Sequence, residues 1–113
     1  MEAYAIHRKA MVAPRKARMT LDLIRGKDIQ TARGIIENTN TKSSRLIIKV
    51  LNSAIANAVN NVGATETELF VTKCYINPGP VYKRTHFASR ANIDRRDHRT
   101  SHITIFVSDK KEV

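Results

Sequence analysis

The chain has 113 residues, 42% of them hydrophobic and only 5% aromatic, a single Cys, and a formal net charge of +10 with a pI near 10.3. That length suits one domain with a modest core, the scarcity of aromatics argues against a base-stacking platform as the main device, and the lone Cys74 rules out an internal disulfide. The positive balance points to a polyanionic partner, and it is uneven: residues 1–27 carry seven Lys/Arg against two acids and residues 83–102 six against two, so these two segments hold nine of the ten net charges. The opening "MEAYAIHRKAM" has an acid at position 2 and no apolar stretch, unlike a secretory signal. The run "LIIKVLNSAIANAV" is too short and too polar to span a bilayer. A soluble, cytoplasmic protein without membrane contact is expected.

In chain order, residues 2–9 alternate weakly, Tyr4 and Ile6 opposite Ala3 and Ala5, and read as a short strand. Pro14 suits the first turn of a helix and Gly26 the place where it stops. Between them Ala17, Leu21 and Ile24 share one face, while Arg15, Arg18 and Arg25 lie along another with Asp22. "DIQTARGII" predicts a second helix from about Asp28 with Ile29, Ala32 and Ile36 inward, Gly34 notwithstanding its propensity cost. The strongest helix begins near Thr41 and runs through "KSSRLIIKVLNSAIANAVNN". Its core stripe is Ile47, Val50, Leu51, Ala54 and Ala58, with Leu46 and Ile55 at the margins, and Ala54, Ala56 and Ala58 would admit a closely packed neighbour. A strand follows from about Leu69, then "NPGP", a long basic segment, and a last strand through Val107.

This order predicts an α+β domain: a small three-stranded antiparallel sheet packed with three helices, plus a long extended β-hairpin. The single domain divides into a globular body, 1–79 and 103–113, and a hairpin of about 80–102. From Pro80, ten residues of strand reach on the order of 30 Å, and a free two-stranded ribbon is marginal in water. A partner that orders it is implied.

"KRTHFASRANIDRRDHRTSH", residues 83–102, has eight charged residues and three His. Catalysis by His86, His98 and His102 with Asp94 and Asp97 finds no nucleophile context, no Gly-rich phosphate loop and no buried carboxylate pair, so no enzyme is expected. His98 and His102 on one strand stand ~13 Å apart, too far for one zinc; neither a metal nor a cofactor is expected. Cys74 reads as a small core residue. Pro78 and Pro80 read as constraints where core strand gives way to exposed arm, rather than as a phosphate nest. Lys83, Arg84, Arg90, Arg95, Arg96 and Arg99 suit phosphate. Ser89, Asn92, Thr100 and Ser101 add short donors for phosphate or 2′-hydroxyl oxygens. Ala88, Ser89 and Ala91 are small enough for a thin ribbon to pass between nucleic-acid walls. Two other classes use some of the same residues: a free nucleic-acid chaperone or DNA-binding module, and an enzyme of nucleic-acid metabolism relying on His98 or His102.

"APRKARMTLDLIRGK", "VLNSAIANAVNN", "NPGPVYKR" and above all "RTSHITIFVS", in one register from about residue 4 to 109, resemble the bacterial-type large-subunit ribosomal protein twenty-two family. The resemblance implies a body on the ribosome surface near the tunnel exit and a β-hairpin running inward through ribosomal RNA to the wall of the nascent-peptide tunnel. It implies large-subunit ribosomal RNA, neighbouring large-subunit ribosomal proteins and the nascent peptide as partners, a part in early subunit assembly, and no homo-oligomer. Carried onto this chain, Arg15, Lys16, Arg18, Arg25 and Lys27 match the RNA-facing body, Lys83 and Arg84 the outgoing arm, and Arg99, Thr100, Ser101 and His102 the returning one. With Arg8, Lys9, His86, Arg90, Asn92, Arg95, Arg96 and His98 these make the expected RNA-binding set. The tunnel tip is expected at Phe87, Ala88, Ser89, Arg90 and Ala91, and there the chain departs from the family pattern. Pro-Arg-Ala, one residue, Gly-Arg-Ala becomes Phe87-Ala88-Ser89, Arg90, Ala91-Asn92-Ile93, at unchanged length. Phe87 either packs on Ile93 or stacks on a base.

Overall fold

Two residues set where the main helices begin. Pro14 takes the first position of α1 (Pro14–Leu21), where its missing N–H leaves no helical bond unmade. Thr41 caps α3 (Lys42–Asn57): its Oγ1 accepts from Ser44 N–H at 3.1 Å while Thr41 N–H donates to Ser44 Oγ at 3.2 Å. The computed structural model describes residues 2–87 and 93–109, with backbone alone over 83–87 and 93–98. It adds α2 (Ile29–Asn38) and the strands β1 (Glu2–Ala10), β2 (Phe70–Phe87) and β3 (Ile93–Ser108). The strands form one antiparallel sheet in the order β1-β3-β2. The fold is α+β, as the element order implies.

Three local readings are corrected. The first helix ends at Leu21 rather than near Gly26, tightening into turns in which Ile24 N–H reaches Leu21 O at 3.2 Å and Lys27 N–H reaches Ile24 O at 3.1 Å. The competing partner is the outer edge of β2. Gly26 N–H donates to Val71 O and Val71 N–H to Lys27 O, both at 2.9 Å, and Gly26 adopts φ +77° to make the turn. Ile55 lies fully inside rather than at the margin of α3, and Ala56 faces solvent, so the close approach uses Ala54 and Ala58 alone.

The helices cover one face of the sheet, α3 against β1 and β3 and α1 against β2. The core unites Ala17, Leu21 and Ile24, Ile29, Ala32 and Ile36, the α3 stripe, and Val71, Cys74, Ile76, Ile103, Ile105 and Val107 from the sheet. β1 turns its small residues inward, burying Ala3 while Tyr4 and Ile6 are exposed, which lets the alanine side of α3 lie close. On the uncovered face Tyr4, Phe106 and Tyr75 form a row across all three strands, with centroid separations of 5.2 and 6.3 Å.

β1 leaves β3 at the pair Ala10↔Ser101, but β2 and β3 stay paired from Val81↔Arg99 out to Phe87↔Ile93. A two-stranded ribbon therefore projects from the body, and the molecule measures 61 × 26 × 23 Å along its principal axes. The expected tip residues Ala88 to Ala91, with Asn92, lie outside the described residues. At the ribbon's root the β2–β3 register shifts between Pro78 and Val81, and a Cβ on Gly79 would stand 2.5 Å from Thr100 Oγ1. Gly79→Ala is expected to destabilise the protein by about 1–3 kcal/mol in urea denaturation. Gly34→Ala, which meets open space in the middle of α2, is expected to stabilise it by roughly 0.5–1 kcal/mol. Equal effects of the two changes would contradict the packing described for Gly79.

Candidate nucleic-acid interface

The site begins with three consecutive residues of β3 that fasten the ribbon to the body. Thr100 Oγ1 donates to Pro80 O at 2.6 Å, Ser101 Oγ donates to Val12 O at 2.7 Å, and His102 Nδ1 accepts from Lys9 N–H at 3.1 Å. Each side chain engages a different stretch of backbone: β2, the β1–α1 turn, and the bulge of β1 where Lys9 adopts φ +56°. Thr100 and Ser101 are 1% and 0% exposed. Both were expected to serve RNA, yet each hydroxyl already donates within the chain, the Ser101 bond buried and the Thr100 bond partly so.

Two expected RNA-facing arginines also have partners of their own. The outer edge of β2 would present unpaired carbonyls. Arg18 Nη2 donates to Ile76 O at 3.1 Å, and Arg25 Nη2 donates to Cys74 O at 2.8 Å while its Nη1 meets Asp22 Oδ1 at 2.5 Å. The Asp22 hydrogen bond pushes the Arg25 pKa up, so its charge is held. Pro78 lies further along this edge strand, where it displaces no ladder bond to a third strand. Burial pushes the Cys74 thiol up, against the pull of Arg25, and keeps it protonated.

What remains is a free cationic surface around the ribbon's root. Arg15, Lys16 and Arg99 are exposed there and have no ion pair among the described residues; Lys27 is also exposed and without an ion pair among them, but lies beside Val71 towards the other end of β2. Arg15, Arg18 and Arg99 line a groove of about 340 Å³ between the start of α1 and the root, walled by Pro14, Pro78 and Val81. Arg8 lies away from this cluster, with Ser53 and Asn57 beside β1, and the Lys9 side chain is exposed at the bulge. Lys83, Arg84, His86, Arg95, Arg96 and His98 are placed by backbone register on the two arms, with Phe87 the last paired residue of β2; Arg90 and Asn92 lie outside the described residues. Sequence reasoning missed Lys42, which folding brings into one groove with Lys16 and Arg99; no local pattern links residues so far apart. Among the described residues no cluster of His, Cys, Asp and Glu could hold a metal ion, and no helix is long and apolar enough to cross a membrane.

The chain is thus a small α+β body joined to a projecting two-stranded ribbon rich in Lys and Arg. The family described as ribosomal protein L22p/L17e matches residues 5–108. The large ribosomal subunit protein uL22 of Halothermothrix orenii is 50% identical over 112 residues, spanning 99% of each chain. That of Carboxydothermus hydrogenoformans is 46% identical over 99% of each, and that of Thermus thermophilus 44% identical over 97% of each. The chain belongs to the ribosomal protein L22p/L17e family, and is a structural ribosomal protein and not an enzyme.

Ser101→Ala is expected to strip a buried carbonyl of its donor and cost about 1–3 kcal/mol by chemical denaturation, whereas Arg99→Gln, at an exposed position, is expected to shift stability by less than ~0.5 kcal/mol. The raised Cys74 pKa means the folded state binds the thiol proton more tightly than the unfolded state. Its stabilising contribution is complete below the unfolded thiol value, about 8.5, and is lost as pH rises through the higher folded value. Stability measured across that range is expected to fall less steeply in Cys74→Ala than in the wild type; parallel curves would contradict this.

Proposed function

We propose that this ribosomal protein is a structural constituent of the large subunit that binds large-subunit ribosomal RNA through the root grooves and the ribbon. On the same reading it assists subunit assembly, contacts neighbouring ribosomal proteins, and carries the end of its ribbon to the wall of the nascent-peptide tunnel. The observation that carries the RNA reading is the register of the ribbon. Arg84 stands directly across from Arg96 and Thr85 from Arg95, with only Asp97, opposite Lys83, and Asp94, opposite His86, to offset them. Like charges facing each other across a ladder are destabilising, and a lone two-stranded ribbon is marginal already. Phosphates lying along both arms would add attractions that outweigh that repulsion. Arg8, Lys9, Arg15, Lys16, Lys27, Lys83, Arg84, His86, Arg95, Arg96, His98 and Arg99, with Arg90 and Asn92, are the proposed contacts. Arg18 and Arg25 add charge while serving the fold, and His102 Nε2 is left to donate.

With about eight phosphates neutralised, affinity for in vitro transcribed large-subunit ribosomal RNA is expected to fall with salt at a log–log slope of ~ −6 to −7. Replacing Arg84, Arg95 and Arg99 together by Gln is expected to flatten that slope by about 2–3 and leave the denaturation midpoint nearly unchanged. A large drop in midpoint would show that the ribbon belongs to the core. Equal affinity for DNA of the same length would favour a free nucleic-acid-binding module instead.

A further inference from the structure

A second groove, of about 550 Å³, shares Ala13 and Arg99 with the first. Its apolar lining is Met11, Val12 and Met19, and its cations are Lys16, Lys42 and Arg99; none of its lining residues is acidic. Two features set it apart from ordinary solvated surface. Met11 and Met19, 48% and 68% exposed, stand together in this one lining, and Met19 is the most exposed large hydrophobic side chain among the described residues. The three cations beside them have no ion pair among the described residues.

We propose that this groove holds one unstacked nucleotide of large-subunit ribosomal RNA, its base against Met11 and Met19 and its flanking phosphates on Lys16, Lys42 and Arg99. The inference rests on the RNA-binding reading above and deepens it. A nucleotide joins a flat ring with apolar faces to an anionic backbone, and this lining offers both complements at once. Methionine suits the base: the thioether is polarisable, adapts its shape, and makes favourable contacts with ring systems. The volume lies within the usual range for a small-molecule site. Continuity with the groove lined by Arg15 and Arg18 gives the strand a cationic path across Arg99. An acidic peptide would satisfy the cations but leave the methionines bare, which favours the nucleotide. Recognition of an unpaired base on an apolar side chain, with phosphates fixed by basic residues, also fits how proteins read irregular RNA.

The test compares the full chain with Met11→Ser/Met19→Ser and with Lys16→Gln/Lys42→Gln, each checked for an unchanged urea midpoint. Binding to in vitro transcribed large-subunit ribosomal RNA is measured from low to high salt, with chemical probing of base accessibility. The methionine variant is expected to bind about 3- to 100-fold more weakly at every salt concentration, the worth of two thioether–ring contacts, with its salt slope intact. It should also expose a base that the wild type protects. The lysine variant is expected to reduce the slope by about 1–2. A methionine variant that binds and protects like the wild type overturns the proposal. So does one that binds RNA normally but washes out of assembled subunits at lower salt, since that assigns the groove to a neighbouring protein. Wild-type protein that shows no salt-dependent binding to this RNA defeats the RNA reading itself, a distinguishable result.

Discussion

The rest of the structure depends on how Thr100, Ser101 and His102 fix the ribbon to the body. Without them only the backbone ladders of the three strands would hold the ribbon to the body. With them, successive side chains of one strand grip Pro80, Val12 and Lys9, so the ribbon's root is tied to both flanking strands and to the chain entering α1. Because the Ser101–Val12 bond is buried and the Thr100–Pro80 bond partly so, breaking the first leaves a polar group without water, which makes the joint stiff. The grooves beside Arg99 inherit their shape from this joint, since α1 starts where Ser101 holds the preceding turn.

Charge is handled economically at the neighbouring edge. β2 is an edge strand, and its carbonyls at Cys74 and Ile76 are met by guanidinium groups rather than by another strand. The backbone of residues 26–29 covers Leu69 and Val71 further along. The edge is thus closed against unwanted pairing, and the positive charge of Arg18 and Arg25 still contributes to the field around the root. A guanidinium, with five donors, can do both; a lysine ammonium fits this geometry less well.

Much of this was legible in the sequence where periodicity and end signals speak directly. Pro14, Thr41, the Ala17–Leu21–Ile24 face and the Ile47–Val50–Leu51–Ala54 stripe stand where the pattern placed them. The length of "KRTHFASRANIDRRDHRTSH" between two strands foretold a ribbon paired out to Phe87↔Ile93. What the sequence does not carry shares a cause. Thr100 and Ser101 sit among basic residues and look like phosphate donors, yet their hydroxyls are claimed by Pro80 and Val12, contacts that exist only once distant segments meet. Helix α1 stops early because β2, some fifty residues on, competes for its last backbone groups. Lys42 and the two methionines were overlooked for the same reason: their shared groove is a product of tertiary assembly.

The most direct test of the central claim, that this chain is an integral part of the large ribosomal subunit, is sedimentation of the tagged protein from a cell lysate through a sucrose gradient, before and after a high-salt wash. Co-migration with the large subunit that survives the wash is the result expected of a protein held by many phosphate contacts and an inserted ribbon. Protein that stays at the top of the gradient, or leaves at moderate salt, would contradict the account.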